Sequence, residues 1–101
     1  MQQIIELNIF PSSEGMYHRH TVPRNTVVYP PLANLWGEGI TIPVMYTVDD
    51  PLDHVLTIHT IGLRPCRLID DNVLKYTPLG TVIYRDAAAT IYLVSYVIEH
   101  G

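Results

Sequence analysis

Only one cysteine, Cys66, occurs in 101 residues, so no disulfide can close within the chain, and a reducing compartment is the expected setting. Cations are equally sparse. A single lysine, Lys75, and five arginines stand against ten carboxylates, giving a net charge of −4. That balance grips phosphate backbones poorly and argues against duplex nucleic acid as a partner. No run approaches the roughly 18 consecutive apolar residues of a membrane-spanning helix. The opening MQQIIELNIF has no basic leader, long apolar segment or small-residue cleavage site. The expectation is a cytoplasmic protein with no membrane partner. Helical periodicity is almost missing as well, and no Gly-rich phosphate loop, GxSxG elbow or HExxH pair is present.

What the chain does have is apolar material, 48% of its residues, and few charges, 16%. The usual charged share is about 25%, so part of the outside is expected to be apolar too. A chain of this length closes one hydrophobic core, so residues 1–101 are read as a single domain with no separate cofactor-binding unit and no cofactor.

Alternation, with β-branched and aromatic residues in short runs bounded by Pro, Gly, Asn and Asp, marks an all-β chain. QQIIELNIF puts Ile5, Leu7 and Ile9 on one face. PSSEG at 11–15 then turns the chain, and MYHRHTV is expected to return as a hairpin partner. NTVVY is a short strand stopped by Pro30 and Pro31. Gly37-Glu38-Gly39 predicts a second hairpin turn, leading into a strand with Ile42, Val44, Tyr46 and Val48 on one side. HVLTIHTIG follows the DDPLD turn. The stretch 63–78 is irregular, with room for one helical turn at DDNVLKY. A final hairpin joins TVIY to IYLVSYVIE through RDAAAT. Six to seven short strands with at most one short helix predict an antiparallel sandwich or barrel.

The closing strand is apolar on both flanks. Ile91, Leu93 and Val97 lie on one side, and Tyr92, Val94, Tyr96 and Ile98 on the other. A two-layer domain buries one face of each sheet, so the second flank needs a loop, a ligand or another chain. Hiding two tyrosines and two aliphatics contributes several kcal/mol at about 25 cal/mol per Å2. The expected interface is therefore Tyr92, Val94, Tyr96 and Ile98, with segment 63–78 as the competing cover.

Candidate chemistry is thin. His18 and His20 project to the same side of a strand, about 7 Å apart, as two metal ligands would. No carboxylate follows within Thr21–Asn25, so no metal site is expected. A small histidine-dependent metal enzyme would need a third ligand from elsewhere. His54 and His59 fall on opposite faces of one strand. Cys66 lies between Arg64 and Arg67, where cations lower a thiol pKa, yet no histidine adjoins it, and an inert buried thiol is expected. Asp49-Asp50 and Asp70-Asp71 read as turn and helix-start residues. Arg64, Arg67 and Arg85, with Tyr76, are the candidates for binding a small phosphorylated ligand, because guanidinium forks hold phosphate and aromatic faces stack bases.

The run of signals from IIELNIF through VPRNTVVY, LW, YTVDDP and LTIHTIG to YTPLGTVIY and YLVSYVIE resembles a family of small uncharacterised all-β proteins encoded by bacteriophages. Gly80-Thr81-Val82 is the tightest match, and RDAAAT is a longer final turn than the family pattern has. The resemblance implies a phage accessory protein and transfers no catalytic residues. The expected function is thus a non-enzymatic interaction or assembly protein, such as a virion component, that self-associates or docks on a larger protein. The alternative is a phage-encoded inhibitor of a host-defence system, binding a protein or sequestering a phosphorylated ligand.

Overall fold

The computed structural model describes residues 1–12, 14–33, 39–64, 69, 71–85 and 89–101. Its strands are β1 (Gln2–Ile9), β2 (Met16–Val22), β3 (Val27–Val28), β4 (Leu32–Ala33), β5 (Ile40–Thr47), β6 (His54–Gly62), β7 (Thr77–Arg85) and β8 (Ala89–His100), with one 3-10 helix, Asp71–Lys75. Two antiparallel sheets result. The first runs β1-β5-β3, with β4 also paired to β5, and the second runs β2-β6-β8-β7. The expected all-β architecture is the one observed, with two strands of only two residues raising the number of strands to eight.

Alternation dictates what fills the space between the layers. Ile40, Ile42 and Val44 of β5 meet Leu56 and Ile58 of β6 and Tyr92 and Val94 of β8, all almost fully buried. Ile9, Val22 and Val82 complete this core. Ile5, Leu7 and Tyr46 pack against it, partly buried.

β1 and β2 do not form a hairpin. β1 pairs with β5 from Gln2↔Thr47 to Ile9↔Ile40, while β2 pairs with β6 from Met16↔Thr60 to Val22↔His54. The connection from β1 to β2 therefore crosses from one layer to the other, and DDPLD crosses again, because β5 and β6 also lie in different sheets. The two remaining expected hairpins are present: Ala33↔Ile40 joins β4 to β5, and Arg85↔Ala89 joins β7 to β8. Gly39 sits at φ 92°, and a Cβ there would collide with the Ile9 carbonyl oxygen, so the close approach of β1 to the start of β5 requires glycine.

The closing ribbon faces the other way from the expected one. Tyr92 is 1% exposed and Val94 0%, while Tyr96 and Ile98 pack against the same core. These four point between the sheets, with Tyr92 against Tyr84 at 6.4 Å between ring centroids. Tyr92 and Val94 are enclosed by their own molecule and Tyr96 and Ile98 partly so, which leaves little of this set for docking. The bulkier flank fills the interlayer space, and the flank of Ile91, Leu93 and Val97 turns outward.

Candidate binding surfaces

The outward side of the first sheet is built from the alternate residues left over by the core. Across three strands the register brings Ile4, Met45 and Val27 side by side. Pro43 is opposite Glu6, and Leu32 is opposite Thr41. Tyr29, whose backbone N–H donates to the Pro43 carbonyl, directs its hydroxyl to Met45 Sδ at 3.9 Å. Ile4 is 63% exposed, Leu32 59%, Val27 45% and Tyr29 38%. Glu6 is the only charged residue among the outward positions of β1, β3, β4 and β5. Together these side chains form an apolar surface on the order of 400 Å2, the size at which the largest patch of a monomer is often functional.

The outward side of the second sheet is treated differently. Tyr17, His59 and Ser95 are in register across β2, β6 and β8, as are Arg19, Thr57 and Val97. Thr57, His59, Ile61 and Ser95 are all buried despite facing outward. The 3-10 helix and its flanks lie over them: Ile69 and Val73 close a small cavity of about 170 Å3 with Glu14, Gly15, Tyr17, His59 and Ile61. Tyr76 sets its ring 6.3 Å from His59 and 6.2 Å from Tyr17. Of segment 63–78, expected as the competing cover, Ile69, Val73 and Tyr76 lie over the flank opposite to the tyrosines. Burial holds the His59 imidazole below its ordinary pKa.

Beside this cover the same sheet carries an open groove of about 590 Å3, lined by Tyr17, Arg19, Val55, Thr57, Asn72, Lys75, Tyr76, Glu99 and His100. The Arg19 guanidinium carbon lies 5.9 Å from the Tyr17 ring centre. Lys75 Nζ donates to Glu99 Oε2 at 3.4 Å.

His18 and His20 face inward from the edge of the second sheet. His20 lines a cleft of about 430 Å3 with Ile5, Leu7, Val22, Val44 and Tyr46. Neither Nε2 has a hydrogen-bond partner among the described residues. Burial lowers both pKa values, and for His18 the neighbouring imidazoles of His20 and His59 lower it further. Among the described residues no three His, Cys, Asp or Glu side chains gather as a metal would require. His54 Nδ1 instead meets Asp53 Oδ1 at 2.7 Å, which holds the exposed carboxyl below its usual range.

Of the four candidate phosphate binders, the three among the described residues do not converge. Arg64 lines a hollow of about 190 Å3 with Ala89, Thr90 and Ile91. Arg85 ends β7, exposed, and Tyr76 lines the large groove. Arg67 and Cys66 lie outside the described residues. The sequence reading missed Tyr17, Arg19 and Lys75 as groove residues. Their one signal was the alternation that puts Tyr17 and Arg19 opposite His18 and His20. No helix among the described residues is long and apolar enough to cross a membrane. No family model, no curated protein and no solved structure matches the chain.

Proposed function

We propose that the protein works as a non-enzymatic interaction protein that self-associates through the outward face of the first sheet. The observation that carries this reading is the row Ile4, Met45, Val27, flanked by Tyr29, Leu32 and Pro43 and carrying one charge, Glu6. Two such faces stacked about 10 Å apart would interdigitate like the layers of a sandwich. With one carboxylate on each, repulsion between copies is small. With about 400 Å2 of apolar surface from each copy, an isologous pair on this face buries on the order of 800 Å2, the low end of interface size, where weak and transient interfaces lie. A phage accessory or virion role, implied by the sequence resemblance, belongs to the same proposal, since apolar faces assemble by shape.

Sedimentation equilibrium of the purified chain tests it. The expected mass is that of a dimer at concentrations near ~100 μM, because an interface of this modest size holds in the micromolar range. The double substitution of Ile4→Lys and Val27→Lys should return the mass to that of a folded monomer. A wild-type chain that remains monomeric to about millimolar concentration, where an affinity of only about −4 kcal/mol would still show, contradicts the proposal.

A further inference from the structure

We propose that the groove beside Arg19 binds a nucleoside monophosphate, a ligand that joins a planar ring to a single phosphate. The site is separate from the apolar face of the first sheet and stands without it. Two of the six cations of the chain, Arg19 and Lys75, line this one groove. Its volume of about 590 Å3 falls inside the range of small-molecule sites.

β2 sends Tyr17 and Arg19 outward two positions apart, and the segment of the 3-10 helix brings Lys75 and Tyr76 down beside them. No carboxylate among the described residues lies within ion-pair distance of Arg19. Its guanidinium is held by the Tyr17 ring instead, at 5.9 Å, which leaves its hydrogen-bonding edge for an anion. Lys75 is paired with Glu99, but both side chains are about half exposed, at 54% and 53%. An exposed pair of that kind is worth little, so Lys75 can turn to a phosphate at small cost.

The ring has a place as well. Tyr17 and Tyr76 meet edge to face at 6.2 Å and 69°, a corner against which a base can lie. Glu99 on the same rim accepts hydrogen bonds and repels anions, so it favours a ligand with N–H donors and one phosphate over one with three. The hollow at Arg64 has no second cation and no aromatic ring among its described lining residues.

Titration of the full chain by NMR with the four ribonucleoside monophosphates, with adenosine, with inorganic phosphate and with adenosine triphosphate tests the proposal. At least one monophosphate should give saturable shifts at the amides of Tyr17, Thr57 and Tyr76. Adenosine and phosphate alone should bind about tenfold more weakly or worse, since each loses one half of the recognition. Arg19→Gln and Lys75→Gln should each weaken binding by about tenfold, the share of one charge-assisted hydrogen bond. Arg64→Gln should leave it unchanged. Amide spectra of the variants verify that each is folded. No saturable shift with any monophosphate overturns the site. Equal losses in Arg64→Gln and Arg19→Gln, or tighter binding of the triphosphate, overturn it too, because they report diffuse charge instead of the groove.

Discussion

The two outward faces of this sandwich start from similar strands and end differently. On the second sheet, Ile61, His59 and Thr57 are covered by Ile69, Val73 and Tyr76, so the chain solves its own exposure problem there. On the first sheet, Ile4, Val27 and Leu32 have no such cover among the described residues. Among the described residues, the segment that lies over a sheet is the one around the 3-10 helix, between β6 and β7. The face without that cover is the one through which self-association is proposed.

The contrast can be broken most sharply at β8, where the two flanks of one strand lie on opposite sides of the second sheet. Tyr92→Ala should cost about 3–5 kcal/mol and leave the chain largely unfolded in urea titrations, since the ring fills the interlayer core. Ile91→Ala, 40% exposed on the other flank, should cost less than about 1 kcal/mol. Similar costs for the two would mean that the ribbon is not seated as described.

A smaller effect is expected where β1 approaches the start of β5 within the first sheet. Gly39→Ala combines a positive φ with a clash against the Ile9 carbonyl oxygen and should cost more than about 1 kcal/mol, read as a lowered thermal midpoint. Thinning the cover should cost about 1 kcal/mol: Val73→Ala removes apolar contact over Ile61 and His59. Its diagnostic is faster amide exchange at His59 and Ile61 with little change at Val27 or Met45. Uniform acceleration across both sheets would show that the cover is not a local unit.

The smallest effect sharpens the comparison at the inner edge. His18 and His20 have lowered pKa values in the folded chain, against an ordinary value of 6.5. The unfolded chain therefore takes up protons first as pH falls. Stability should be full above about 6.5, decline as pH drops below it, and level off once pH is under the folded values. Urea midpoints between pH 7.5 and 5 should fall for the wild type and fall less when both histidines are replaced by glutamine, with the buried His59 carrying the remainder. A midpoint that rises toward pH 5 would place the imidazoles in contact with carboxylates instead of with Ile5, Leu7 and Val44.

Much of this architecture is legible in the residues. Alternation assigns Ile5, Leu7 and Ile9 of β1 and Ile42 and Val44 of β5 to the core, because the opposing positions there are more polar. DDNVLKY shows as a helical turn and RDAAAT as a hairpin connection. Two things were not legible, for physical reasons. PSSEG has the composition of any tight connection, and nothing in it distinguishes a turn within a sheet from an arch between layers. β8 is apolar on both flanks, so period two fixes its two sets of side chains without saying which set is enclosed. That depends on which flank Ile69, Val73 and Tyr76 cover. The groove was hidden for a related reason: Arg19 and Lys75 become neighbours only once β2 lies beside β6 and the 3-10 helix folds back over them.

The central claim is that the first sheet offers an apolar face uncovered by the described residues while the second supplies its own cover. A dilution series followed by amide NMR tests it most directly. The account predicts that amides of Ile4, Val27, Leu32 and Met45 shift with protein concentration while those of Thr57, His59 and Ile61 stay fixed. Shifts confined to the second sheet, or none on either, would contradict it.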